Sequence, residues 1–582
     1  MKTSTILTSF NGGLFSPRLN GRVDIAKYYS SCRTLENMIV YPHGGASRRF
    51  GTVFVAETKT SANISRLIPY QFNEEQSYVV EMGHEYLRFY KDNGQIVSGT
   101  IATGTPIEVA SSYTSSLIDT VRYAQNQDTM RLVNQSVFPC SLTRSSHTAW
   151  TLASTTFVST PSDWGGASGY PGHVGFYEQR SVYAGTIAQP QTMWLSNTGS
   201  LNGFDYASGA AADDDSPLTL TLDGNSVIRW LLPGRYLNVG TGESEWVVSS
   251  GSGDEAMTPT MRKAKRASRY GSSSTPAVAV ANAILFVQRA GRKLRELVYD
   301  YVSDSYGDPP DLTIFSEHVT KVGIKSYAFQ REPDSILWCV LNDGTIAAFT
   351  YNKTQDVTGW HTHSTDGDFE SVTTIPVEGY DQVWFIVNRT IGGAAKRYVE
   401  YMAPDFGTTQ SKCWFVDSGL QYDGSGTKTV TGLDHLEGKL VSILADGAVM
   451  PAETVVSGAI TISTAASIII AGLPYTSILE PMDLETKEQS GSGQGKRKKI
   501  HNIMVRFYQT LGAKVGSAAG TMDIITFRTA SDPMDSAPPL FTGDKVVPFP
   551  GGWDRHGYIR ITQEQPLPLT VLAIEPLVNT GD

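Results

Sequence analysis

Recurring short hairpins, strands apolar on consecutive residues and weak helical periodicity predict a mainly β chain: a β-propeller of about six to seven blades with an inserted small β-domain. The hairpins come first. Ser77–Met82 returns as Tyr86–Tyr90, Ala283–Gln288 as Leu294–Tyr299, Ser335–Leu341 as Thr345–Tyr351, and Gln382–Asn388 as Lys396–Met402. Asn342-Asp343-Gly344 and Asp92-Asn93-Gly94 supply residues that tolerate the positive φ of tight turns. Further hairpins are expected in 129–151, 181–196 and 235–249, giving about seven units. Ile284-Leu285-Phe286-Val287 and Val383-Trp384-Phe385-Ile386-Val387 must be covered on both faces, as blades cover one another. A series of β-sandwiches is the alternative.

The pattern divides the chain into an extended N-terminal arm (1–60), the blades (61–410), an inserted β-domain (411–490) and C-terminal strands that close or flank the propeller (491–582). Within the insert, short strands are expected at Leu440–Leu444, Ala459–Ile462 and Ser467–Ala471. The Gly/Ser stretch Ser490–Gly495 and the charges after it read as a mobile surface loop.

Composition narrows the function. The chain has 582 residues, long enough for several domains of ~150 residues. With 57 acidic against 47 basic residues, its net charge of -10 argues against a dedicated nucleic-acid binder. Charged residues are 18%, below the roughly 25% of an average soluble protein, which points to much surface lost to contacts. Cys32, Cys140, Cys339 and Cys413 are too dispersed for a disulfide framework or a zinc cluster. Met1–Leu14 lacks the apolar stretch of a signal peptide, and no segment reaches the ~20 apolar residues of a membrane span, so a soluble protein made in a cytoplasm is expected.

Several motifs hint at chemistry and are better read as structure. His361 and His363 share a strand face, but spacing offers no third metal ligand. Asp213-Asp214-Asp215 lacks the alternating oxygens of a calcium loop. Ser364–Phe369 resembles the Asp-box turn of sialidase-type propellers without its repeated copies. No nucleophile elbow, phosphate loop or zinc-protease helix occurs, so no catalytic residue, cofactor or metal is expected. Two basic runs, Arg262-Lys263-Ala264-Lys265-Arg266 with Arg269, and Lys496-Arg497-Lys498-Lys499, are surface candidates. In the arm, Arg18, Arg22, Asp24, Arg48 and Arg49 are candidates for subunit docking.

The arm also carries a resemblance. Gly12-Gly13, Ser16-Pro17-Arg18-Leu19, Gly21-Arg22-Val23-Asp24 and Gly44-Gly45-Ala46-Ser47-Arg48 are similar to the opening of the tail nozzle family (tail tubular protein B) of short-tailed bacteriophages. Internal blocks extend the likeness over most of the chain: Ile68–Phe72, Leu285–Arg292, Glu332–Trp338, Gly359-Trp360-His361, Leu540–Asp544 and Pro566–Leu572. Phe50 stands where the family pattern commonly has Pro, and the 427–486 insert matches least.

The resemblance implies a non-enzymatic virion protein that assembles as a homohexamer in the distal tail tube, below a ring of the adaptor (tail tubular protein A). That ring would retain the genome, offer a surface to tail fibres or spikes, and open for DNA ejection, after assembly in the host cytoplasm. Three expectations follow: Asn11–Gly51 orders against a neighbouring subunit and its truncation spares the propeller, 490–499 is mobile, and the DNA conduit is neutral or acidic, with both basic runs outside it. A propeller that binds or hydrolyses glycans, and a monomeric peptide-recruiting scaffold, are the alternatives.

Overall fold

The computed structural model describes residues 2–73, 75–100, 104–204, 213–251, 255–300, 305–485, 493–518, 520–533 and 536–581. Among them, seven antiparallel sheets follow in chain order, each entered by an inner strand: Arg66–Gln71, Arg122–Asn126, His173–Tyr177, Ile228–Pro233, Val278–Val280, Ile324–Gln330 and Asp368–Val377. The seventh inner strand packs against both the sixth and the first, so the series closes into a seven-bladed propeller.

The expected hairpins are the middle strands of these blades. Ser77–Gly83 pairs with Tyr86–Lys91, Ala283–Val287 with Leu294–Asp300, Ile336–Leu341 with Ile346–Asn352, and Tyr380–Ile391 with Ala394–Met402. Their two-sided burial explains the consecutive apolar runs: Trp338 and Trp384, at most 1% exposed, are clamped between adjacent sheets.

The ring is closed from the N-terminal side. Thr52–Glu57 is the outer strand of the seventh blade, with Val399 opposite Ala56 and Met402 opposite Thr52. It stands immediately upstream of the first blade, so both ends of the ring are tied by one stretch of chain. This corrects the assignment of 52–57 to the arm, and the closing role that was one of two expected for the C-terminal strands. Gly51 makes the turn possible: a Cβ there would sit 1.9 Å from the Val416 carbonyl oxygen.

The insert is a four-stranded sheet of Asp417–Thr431, Leu440–Ala445, Ala448–Thr454 and Ala459–Leu473, joined to the seventh blade where Gly419 pairs with Val53. The two short strands expected within 459–471 are one strand of 15 residues, whose Thr and Ser face solvent while Ile460, Ile462 and Ile469 fill the core.

The arm and the C-terminal segment build a further β-layer together. Ser31–Glu36 pairs with Ser477–Pro481, Met38–Val40 with Ala46–Arg48, and Lys2–Ser4 with the last strand, Thr570–Gly581. Gly13 pairs in parallel with Trp360 at the outer strand of the sixth blade, Val357–His363; its φ is +68°, and a Cβ would meet the Trp360 nitrogen at 2.4 Å. Phe10, Leu14, Leu35 and Met38 enter the same core as Ile503, Val505 and Val571. The arm therefore orders against its own chain, and the expectation of a separate docking element, removable without harm, is corrected: Phe10, Leu14 and Leu35 would leave an uncovered apolar face behind.

Candidate functional site

The arm candidates separate into two groups. Arg18 forms an exposed pair with Glu317 at 3.0 Å, and Arg22 a local two-pronged pair with Asp24 at 2.8 Å. Arg48 and Arg49 are interior. Nε of Arg49 donates to Asn37 Oδ1 (3.0 Å), Nη1 to the Phe50 carbonyl (3.0 Å) and Asp417 Oδ1 (2.8 Å), and Nη2 to the Ser364 carbonyl (2.9 Å) and Asp417 Oδ2 (2.7 Å), so all five N–H groups are used. Its guanidinium also lies 4.0 Å from the Tyr475 ring centre. Arg48 donates to the carbonyls of Gln565, Leu567 and Tyr475. A second buried pair, Arg389 with Glu400 (2.8 Å at both prongs), adjoins through Thr52, which donates to Glu400 and accepts from the Ser418 amide. Burial raises the Asp417 carboxyl, but Arg49 outweighs it and the net shift is downward.

Arg262, Lys263, Lys265, Arg266 and Arg269 are exposed on or beside Lys263–Ser268, the outer strand of the fourth blade, with Arg266 4.7 Å from the Trp246 ring centre. Cations on an outermost strand blunt an edge open to pairing. The second run is not a mobile loop: Arg497 begins the strand Arg497–Thr510, Lys499 pairs opposite Asn579, and Lys498 is 2% exposed, its backbone bonded in both directions to Asp554. Lys496 lies just upstream, and 486–492 falls outside the described residues. Sequence reasoning took four like charges as a solvated run, whereas strand alternation puts Lys498 inside.

His361 and His363 bond to each other, Nδ1 to Nε2, at 2.8 Å. The Thr350 hydroxyl donates to the Val40 carbonyl at 2.9 Å, so it accepts from His361 Nε2 at 3.1 Å. His361 then carries its proton on Nε2, and its Nδ1 accepts from His363 Nε2–H. Burial lowers His361 to about 3 and His363 well below the ordinary value, so both are neutral near pH 7. Asp214 and Asp215 lend backbone carbonyls to Arg180, and Asp213 caps Ser216 at 2.6 Å. Among the described residues, no group of three His, Cys, Asp or Glu side chains is placed to hold a metal.

A central concave feature was missed in the sequence. All seven inner strands line a central cavity of about 1160 Å³. Its charged wall carries Arg66, Arg122, Arg229, Arg289, Lys325 and Arg331 against Asp119 and Glu370. Arg66, Arg122 and His173 open their inner strands, and Arg229 and Lys325 are second in theirs. Inner strands run in the same direction along a propeller axis, so these side chains gather at one mouth. Arg122 reaches across it: Nη1 donates to the carbonyls of Asp119 (2.8 Å) and Val121 (3.0 Å), and Nη2 to that of Ser274 (2.7 Å), which precedes the fifth blade. Glu370 is taken by Arg397 in a two-pronged pair at 2.6 and 2.8 Å. Burial, then Arg66, bring Arg122 down to about 9; burial, then Arg122, bring His173 down to about 3. The signal in the sequence was a basic or imidazole residue just upstream of hairpins, visible only once the inner strands are located.

No protein-family model matches the chain, and no curated protein does. Among solved structures it is similar to the RRP9 WD40 repeats (8% identity, TM-score 0.39, covering 61% of this chain and 99% of that one). It is also similar to U3-55K (7%, 0.37, 61% and 98%) and to the Pan2 WD40 domain of Neurospora crassa (9%, 0.33, 62% and 96%).

Proposed function

We propose that this propeller is a structural subunit of the distal tail tube, the nozzle, of a short-tailed bacteriophage, and that copies of it form a homohexameric ring below an adaptor ring. One observation carries the reading. Four of the sequence blocks on which the resemblance rests, far apart along the chain, meet in buried contacts: Gly13 on Trp360, Arg48 on Leu567 and, by its backbone amide, on the Leu569 carbonyl at 2.7 Å. Blocks that fix the relative placement of arm, propeller and C-terminal layer are what a load-bearing ring subunit requires.

Open sheet edges support self-association. Among the described residues, Phe541–Pro548 pairs on one side only, with Arg497–Thr510, and exposes Val546 at 67%; the short Met522–Ile525 is likewise terminal in its sheet and exposes Ile524 at 70%. Asp544, Lys545 and Pro548 partly guard the longer edge, but an exposed Val and Ile on terminal strands still offer apolar contact to a partner. In the proposed ring, DNA passes through the bore between subunits; the basic strand Lys263–Ser268 lies on the propeller's outer rim, and six cations against only Asp119 and Glu370 leave the blade cavity too cationic for a conduit. Glycan hydrolysis finds little support, since Glu370, an acid of the central cavity, is tied to Arg397 in a two-pronged pair.

Negative-stain electron microscopy of the purified chain, alone and with its adaptor ring, tests the proposal. Rings are expected. A chain that stays monomeric under both conditions sinks it and favours the recruiting scaffold.

A further inference from the structure

We propose that the cationic mouth of the propeller's central cavity is a binding site for a small, multiply phosphorylated anion. The inference goes beyond the tail-tube reading and does not depend on it.

Three features carry it. Cations arrive from different blades: Arg66 from the first, Arg122 from the second, Arg229 from the fourth, Arg289 from the fifth and Lys325 from the sixth. Their charge is not consumed inside the protein. Arg66 and Arg122 donate to backbone carbonyls, which orient a guanidinium without neutralising it. Arg229 and Arg289 have no carboxylate within ion-pair distance among the described residues; Lys325 is partly offset by a long, half-exposed pair with Asp119 at 3.9 Å. Finally, Arg122 Nε is buried and has no hydrogen-bond partner among the described residues, a donor left over within the cluster.

Like charges held together in a desolvated mouth repel, and an anion seated among them relieves that repulsion. Burial first, and then the neighbouring guanidiniums, push Arg122 and His173 down. Guanidinium forks match phosphate oxygens in two-pronged geometry, which favours phosphate over carboxylate ligands. A cavity of about 1160 Å³ suits a small molecule of generous size. The cations are gathered around one mouth from five of the seven blades; a nucleic-acid strand would need a continuous track, and the other exposed basic stripe, Lys263–Arg266, lies on an outermost strand.

The test is calorimetric titration of the full chain with inorganic tripolyphosphate at fixed ionic strength. Saturable binding of one ligand per chain is expected, with a rise in Tm. Arg229→Gln and Arg289→Gln change exposed side chains and should keep the wild-type circular dichroism spectrum, yet each should weaken binding about tenfold, as loss of a charge-assisted hydrogen bond does. The double variant Arg262→Gln/Arg266→Gln, on the outer strand, should bind as wild type. A nucleoside triphosphate binding tighter than tripolyphosphate would support a nucleotide as the source, and equal affinity a bare polyphosphate. The proposal is overturned if tripolyphosphate binds no better than sulfate, if the cavity variants leave affinity unchanged, or if a single-stranded oligonucleotide binds more tightly than both ligands and loses affinity in Arg229→Gln.

Discussion

Arg49 grips Asp417, 368 positions away, through two parallel hydrogen bonds of 2.8 and 2.7 Å, both side chains being at most 2% exposed. Breaking one side of such a pair strands a charge in the interior. Asp417→Asn is therefore expected to destabilise the fold by ~3–5 kcal/mol, and Arg49→Lys, with three donors in place of five, should not be tolerated either. Denaturant unfolding would measure both; a loss under about 0.5 kcal/mol for Asp417→Asn would contradict the assignment.

Acid sensitivity should begin well above the carboxylate range. The folded His361 value, about 3, lies below the ordinary value of 6.5, so the unfolded chain binds the extra proton and stability falls as pH drops from about 6.5 toward 3. His363 acts in the same direction. Asp417, shifted downward, adds its loss only as pH falls below the ordinary carboxyl value of 3.8. Thermal melts from pH 7 to 4.5 should show a decline that His361→Gln/His363→Gln flattens; an unchanged slope would refute the neutral pair.

Native trypsin digestion should spare the 496–499 run, because Lys498 is buried and Arg497 and Lys499 are held in a strand. Early cleavage after Lys498 would show that this strand end frays. Lys498→Ala should cost roughly 1–3 kcal/mol, since it strips packing and a hydrogen bond from a buried site.

Removing residues 1–51 should not leave a native propeller. It takes away Arg48 and Arg49, uncovers the outer strand of the sixth blade at Trp360, and deletes partners of Ser477–Pro481 and Thr570–Gly581. Size-exclusion chromatography should report aggregation, and a soluble truncated chain with an unaltered Tm would show that the arm is dispensable.

Val546→Lys should abolish ring assembly while moving Tm by less than about 2 °C, since it charges an exposed edge position without touching the core. Intact rings from this variant would place the subunit contact elsewhere.

What the sequence disclosed depended on how each strand is buried. Middle strands such as Ile336–Leu341 and Tyr380–Ile391 are covered on both faces and announce themselves as apolar runs. Inner strands border a polar cavity, so Arg122-Tyr123-Ala124-Gln125-Asn126 reads as nothing in particular, and the cationic mouth stayed hidden with it. Thr52-Val53-Phe54-Val55-Ala56-Glu57 has a strand composition, yet nothing local says that its partner lies beyond residue 390. Arg48 and Arg49 were legible as important; their role was misread because charge in a Gly-rich arm suggests an outer surface, and Asp417, the residue that makes their burial tolerable, is remote in sequence.

The closing strand also imposes an order of events on synthesis. Thr52–Glu57 leaves the ribosome before any blade, but the strand it must join, Ala394–Met402, comes last in the ring. At ~5–20 residues per second that partner emerges roughly 20–70 s later. Through this interval the nascent chain carries an unsatisfied β-edge at each end of an incomplete ring, and neighbouring chains on one messenger RNA display the same two edges. Exchange of this strand between nascent copies is therefore a kinetic hazard built into the topology, and closure over this sequence distance a slow step in folding.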